Sequence, residues 1–191
     1  MYNPDAMKQI LRTQKMLERL NHKTDEKVLK DQHIVSALSE SSYFKRARII
    51  LFYLPIHGEV DISQLFNKYK GKKKFVLPRV CKNGNLNLHF ITDLSETENG
   101  AFNIKEPLGN LKEASPKDLD LILVPGTVFA KDGHRIGYGK GFYDRLLKNT
   151  SAIKIGIAYE FQIVENIPAQ SHDSPMDLIA TEKGIQKIPF K

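Results

Sequence analysis

Apolar residues recur along this chain with two different periods. Near the N-terminus Met7, Ile10, Leu11, Leu17 and Leu20 keep a helical spacing, which predicts a helix over 5–20. Thr24 is placed to cap a second helix running to about Ser39. Ile62, Leu65, Phe66 and Tyr69 stand at i, i+3, i+4 and i+7 behind Asp61, predicting a short helix capped by Asp61 and stopped by Gly71. Other stretches are short and continuously apolar. Residues 48–54, 74–80, 120–125, 153–159 and 176–181 read as strands of the kind buried on both faces. Residues 86–90 alternate after a hairpin signal at Asn83-Gly84. Residues 93–119 are polar and turn-rich, with an ordered loop expected over 101–107, and a last helix is expected from about Gly141 to Lys148. Strands alternating with helices predict an α/β fold: a largely parallel sheet with helices on both faces. No repeat, low-complexity tract or linker divides the sequence, so one domain over 1–191 is expected.

Composition narrows the setting. The 191 residues are 41% hydrophobic and 27% charged, the balance of a soluble globular chain. No apolar run is long enough for a transmembrane helix, and the N-terminus lacks the apolar core of a signal peptide, so a cytoplasmic protein without membrane partners is expected. Cys81 is the sole cysteine, which excludes an intrachain disulfide and a Cys-rich zinc site. The net charge of +7 favours an anionic partner, either a nucleic acid or a polyanionic small molecule, and serves equally as a solubility feature.

The stretch GHRIGYGKGFYDR (133–145) is where candidate chemistry concentrates. Gly137, Gly139 and Gly141 alternate, Lys140 lies among them, Arg135 precedes and Asp144 follows. Bare backbone between a strand and a helix lets N–H groups approach phosphate oxygens, and the helix start adds partial positive charge. A tight loop needing positive φ would also use such glycines. The stretch is not a P-loop, because Gly141 rather than Ser or Thr follows Lys140; Phe142 stands where the dinucleotide fingerprint needs its third glycine. In the first helix Lys8, Arg12, Lys15 and Arg19 form one basic stripe, either a solvated face or a phosphate clamp.

Residues 119–147, LDLILVPGTVFAKDGHRIGYGKGFYDRLL, resemble the signature of the 5-formyltetrahydrofolate cyclo-ligase family. KQILR (8–12), FYLPIHGEVD (52–61), FVLPRV (75–80), FNIKEP (102–107), GIAYEFQ (156–162) and HDSPMDLIAT (172–181) match in order, so the resemblance spans nearly the whole chain. It implies a three-layer α/β/α domain with a mostly parallel mixed sheet, similar to the sugar-phosphate isomerase and CoA-transferase group. It implies conversion of 5-formyltetrahydrofolate to 5,10-methenyltetrahydrofolate with use of ATP and Mg²⁺. By the same resemblance Lys8 and Arg12 contact ATP phosphates. Arg135, Gly137, Gly139, Lys140, Gly141 and Tyr143 form the nucleotide loop, with Lys140 and Arg135 acting on the transferring phosphoryl group. Leu54, Glu59, Tyr138 and Phe142 face the folate, and Asp144 and Asp173 hold the metal. Lys15 and Arg19 share the basic stripe but lie outside the matching motif, so they are expected to be spectators.

Two departures stand out: Phe142 replaces the family's usual first tyrosine, and Ala130 stands where Asp is common, with only a local loop effect expected. His57, His134 and His172 receive no role. The partners implied are small molecules, with no nucleic acid, and a monomer is expected. Another ATP-dependent enzyme of the same fold, or a single-stranded nucleic-acid binder, are the alternatives. Against the latter, no aromatic-rich strand platform is present, and Asp144 and Asp173 would repel phosphates without a metal.

Overall fold

The computed structural model describes residues 3–81, 84–101, 104–170 and 173–189. Two helices open it, α1 (Pro4–Leu20) and α2 (Thr24–Glu40). Asn3 starts α1, its side-chain oxygen accepting the N–H groups of Asp5 and Ala6 at 3.0 and 3.2 Å. A one-turn helix, α3 (Ser42–Arg46), follows under a Ser41 cap; five residues are too few to show a period in sequence. The chain then enters β1 (Ile49–Leu51), α4 (Ser63–Tyr69), β2 (Lys74–Val80) and β3 (Leu86–Ile91). The cap position of α4 is Ile62; Asp61, expected there, instead receives the Ser63 N–H from one residue further out.

The polar region expected to be loop holds three short strands, β4 (Thr97–Asn99), β5 (Lys105–Pro107) and β6 (Glu113–Ala114). β7 (Leu121–Val124), β8 (Val128–Ala130) and β9 (Arg135–Ile136) precede α5 (Phe142–Leu147). β10 (Ile153–Ile157), β11 (Ile163–Val164), β12 (Leu178–Thr181) and β13 (Gly184–Lys187) complete the chain. The Asn83 half of the hairpin signal, Phe102 and Asn103 of the expected loop, and His172 lie outside the described residues.

Among the described residues, eight strands form one sheet in the order β13-β12-β10-β7-β1-β2-β3-β6. The pairs from β12 through β2 are parallel, and the outer pairs are antiparallel. The expectation of a mostly parallel mixed sheet therefore holds. The parallel strands are buried on both faces, which is why they read as unbroken apolar runs. Ile50, Leu121, Leu123 and Ile155 join Ile34 and Leu38 of α2 and Phe66 of α4 in one core. Leu51, Ile122, Val124 and Ile179 turn to the opposite face, where Leu146 and Leu147 of α5 pack. Fully burying such a side chain contributes about 1.5–3 kcal/mol, so the sheet centre is the rigid part of the molecule.

α1 reverses the usual orientation of an amphipathic helix. Met7, Ile10, Leu17 and Leu20, whose spacing predicts the helix, are exposed, while Arg19 is 1% exposed. The basic stripe faces the protein. β8 pairs with β9 and β11 in a separate three-stranded sheet, so the glycine stretch leaves β9 rather than a strand of the main sheet. Ala130, expected in a loop, is a fully buried residue of β8.

Candidate functional site

The segments leaving the carboxyl ends of β1, β2 and β7 meet along one edge of the sheet, where open α/β sheets bind ligands. They enclose a cleft of about 490 Å³. After β1 the chain turns tightly through His57 and Gly58, both at positive φ (46° and 74°), and this turn directs Glu59 inward. After β7, Pro125 leads through the β8–β9 hairpin to the glycine loop. Gly139 and Gly141 take φ of 85° and 65°, conformations that any other residue would hold under strain, so part of the glycine pattern is backbone geometry. Gly137 is different: its φ is not positive and an added Cβ would meet nothing within 4 Å. Its bareness leaves open space in the cleft. α5 is only six residues long and sums few peptide dipoles, so side-chain cations rather than the helix start supply the positive charge.

Every residue assigned to the site by resemblance lines this cleft: Lys8, Arg12, Leu54, Glu59, Asp173 and the loop from Arg135 to Asp144. Lys8 donates to Asp173 at 2.8 Å and lies 3.4 Å from the Gln170 amide oxygen. The Arg12 Nε donates to the Gly137 carbonyl at 2.7 Å, anchoring α1 to the glycine loop. Arg135 donates to Asp144 at 2.8 Å. Two buried polar atoms of the cleft, Arg135 Nε and the Tyr143 hydroxyl, have no hydrogen-bond partner. An unpartnered buried polar group in a cleft is a place for a ligand atom. Burial and the nearby Glu59 charge push the Tyr143 phenol well above its ordinary value, so it stays a neutral donor.

Glu59 is 4% exposed. Its Oε2 accepts the Ile56 N–H at 3.0 Å and its Oε1 the Tyr138 hydroxyl at 3.1 Å. Burial pushes its carboxyl up to about 7, against the pull of Arg19, the Ile56 N–H and Tyr138. Leu54 and Phe142 add apolar wall beside it. The cleft thus combines lysine and arginine side chains, the carboxylates of Asp144 and Asp173 that pair with two of them, and the buried acid Glu59.

Arg19, expected to stand apart from the site, is buried and bonded to it: it donates to Tyr138 at 2.6 Å, to the His57 carbonyl at 2.9 Å and to the Gly126 carbonyl at 3.1 Å. Its spacing, seven residues after Arg12, put it on the same helix face, but nothing local in the sequence shows that this face turns inward. Lys15 instead pairs with Glu18 on its own helix at 2.8 Å. Glu106, given no role, also lines the cleft while 4% exposed, accepting the Val80 N–H at 3.3 Å. His57 packs at a tilt against Tyr138, and His134 pairs with Asp132, neither in a catalytic arrangement. Among the described residues no helix is long and apolar enough to cross a membrane.

The architecture is that of an α/β protein with a mostly parallel central sheet and a glycine-lined cleft holding lysine and arginine side chains and a buried carboxylate. The match to known proteins is more specific. The family model for 5-formyltetrahydrofolate cyclo-ligases covers residues 4–182. A 5-formyltetrahydrofolate cyclo-ligase of Haemophilus influenzae is 33% identical over 76% of this chain and 79% of its own. The solved structure of 5,10-methenyltetrahydrofolate synthetase from Aquifex aeolicus superposes with a TM-score of 0.87 at 35% identity, covering 97% of this chain and 94% of that one. One from Mycoplasma pneumoniae superposes at 0.75 with 29% identity, covering 92% and 98%. The chain belongs to the 5-formyltetrahydrofolate cyclo-ligase family.

Proposed function

We propose that this cleft converts 5-formyltetrahydrofolate to 5,10-methenyltetrahydrofolate with ATP as co-substrate, releasing ADP and phosphate. The observation that carries the reading is convergence. Residues matched from distant parts of the sequence, between Lys8 and Asp173, line one cleft that holds both cations and carboxylates. The chain acts on small molecules as one α/β/α domain of three layers and as a monomer in the cytoplasm.

The chemistry follows from the substrate. The N5-formyl group is an amide, and its oxygen is a poor leaving group. That oxygen attacks the ATP γ-phosphorus as the bond to the β-bridging oxygen breaks, and ADP departs. The formyl carbon is now part of an iminium phosphate. N10 of the same folate attacks it, loses its proton, and the C–O bond breaks to release phosphate. Lys140 and Arg135 neutralise charge on the transferring group; Lys8 and Arg12 hold the remaining phosphates. Glu59 accepts pterin N–H donors, and Leu54, Tyr138, Phe142 and Tyr143 fix the ring so that N10 lies near the formyl carbon. No covalent enzyme intermediate is needed, consistent with the lack of a nucleophile–base pair in this reading.

Mg²⁺ suits this donor set. Among the described residues no three His, Cys, Asp or Glu side chains cluster as an all-protein cage. Asp144 and Asp173 line the cleft, and two carboxylates completed by phosphates and water are what this cation prefers. When bound, the ion supplies charge neutralisation of the nucleotide phosphates.

Oxygen-18 in the formyl group tests this route. The label should appear in the released inorganic phosphate. Label retained in folate products or lost to water would contradict phosphorylation of the formyl oxygen.

A further inference from the structure

Arg19 is held by three segments of the chain. Its Nε donates to His57 in the turn after β1, and one terminal nitrogen to Gly126 after β7. The other terminal nitrogen donates to the Tyr138 hydroxyl in the glycine loop, which in turn donates to Glu59. The guanidinium also stands 3.9 Å from the Glu59 Oε1. A buried cation is tolerated when it is hydrogen-bonded and paired; here two carbonyls and a phenol accept from the guanidinium, and the Glu59 carboxylate stands opposite it as counter-charge. Only the planar fork of arginine reaches these directions together; the ammonium of lysine is a point charge.

We propose that Arg19 is a positioning residue, which ties the Glu59 carboxylate to the glycine loop through the Tyr138 hydroxyl and so fixes the acid's orientation and charge. The assignment rests on the reading of Glu59 as the folate-side acid only for its kinetic consequence. Its structural content is the chain from Arg19 to Tyr138 to Glu59. The groups facing Glu59 are Arg19 from α1, Tyr138 from the glycine loop, Tyr143 from α5 and Tyr53 just after β1. Burial keeps these three phenols neutral near pH 7, so Arg19 is the cation that favours ionised Glu59. Because Tyr138 stands between Gly137 and Gly139, this chain ties the Glu59 turn to the glycine loop.

Carbon-13-labelled glutamate tests this in the ligand-free protein, with Glu59→Gln identifying the Glu59 signal. In Arg19→Met the Glu59 titration should move upward by about one unit or more, and Arg19→Lys should restore part of the shift. The Michaelis constant for the folate should rise about tenfold in Arg19→Met, the loss of a charge-assisted contact, while that for ATP stays within about threefold. A Glu59 titration unmoved in both Arg19 variants would overturn the assignment, whatever happens to overall stability. If Arg19→Met does not fold, Arg19→Lys and Tyr138→Phe carry the same test, the latter removing the linking hydroxyl and also expected to raise the titration. The two readings fail separately. An unchanged folate constant in Glu59→Gln would remove Glu59 from the folate site, while a shifted titration in Arg19→Met would still uphold the chain.

Discussion

The Tyr138 hydroxyl donates to Glu59 at 3.1 Å, joining a residue of the glycine loop to the buried acid of the turn after β1. The glycine loop and the turn after β1 are thus joined by a direct polar contact, and the proposed nucleotide and folate roles of their residues predict distinguishable signatures.

Lys140→Ala should weaken the ATP side alone. Losing a charged hydrogen bond to phosphate costs on the order of 1.5–3 kcal/mol, roughly tenfold to a hundredfold in turnover or ATP affinity. Steady-state kinetics with each substrate varied would show it. Unchanged ATP kinetics would make Lys140 an ordinary loop lysine.

Glu59→Gln should weaken folate more than ATP, and wild-type kcat/KM for folate should fall as pH drops below about 7, where Glu59 takes up its proton. The glutamine variant should lose that acid limb. A pH profile in which both proteins keep the same limb would assign the titration to another group.

The same carboxyl predicts a stability effect of opposite benefit. Its folded value of about 7 lies above the ordinary 4.5, so between these pH values the folded state binds more protons than the unfolded state. Wild-type stability therefore falls relative to Glu59→Gln as pH rises from 5 to 8, by up to about 3 kcal/mol. Urea unfolding of both proteins at the two pH values measures this, and a difference that stays constant with pH would contradict it.

Substitutions along α1 should divide by what each side chain touches. Lys8→Ala and Arg12→Ala should lose roughly tenfold or more in ATP-dependent activity, since both line the cleft. Lys15→Ala should stay within a few-fold of wild type, because Lys15 pairs only with its neighbour Glu18 among the contacts that place it. Activity assays with circular dichroism as a folding control would separate these. Equal small effects at all three positions would leave Lys8 and Arg12 as structural contacts of α1 and remove them from the nucleotide site.

The main helices and the parallel strands were legible because each is long enough, or apolar enough, to show its period. β8, β9 and β11 were not, since strands of two or three residues have no period to read. β4 and β5 are polar strands of three residues that, among the described residues, pair only with each other, too short and too polar to show an alternation. The glycine loop and the basic stripe of Lys8 and Arg12 were legible from spacing and charge, while Leu54, Glu59 and Asp173 came only through the family resemblance. Arg19 escaped because a buried arginine and a solvated one look alike locally. What separates them is the inward turn of α1's basic face, decided by acceptors at His57, Gly126 and Tyr138.

The most direct measurement follows product formation. Protein mixed with ATP, Mg²⁺ and 5-formyltetrahydrofolate should develop the near-ultraviolet absorbance of 5,10-methenyltetrahydrofolate, with ADP and phosphate released in equal amounts to it. No absorbance change with folded protein, or ATP hydrolysis without methenyl product, would contradict the account.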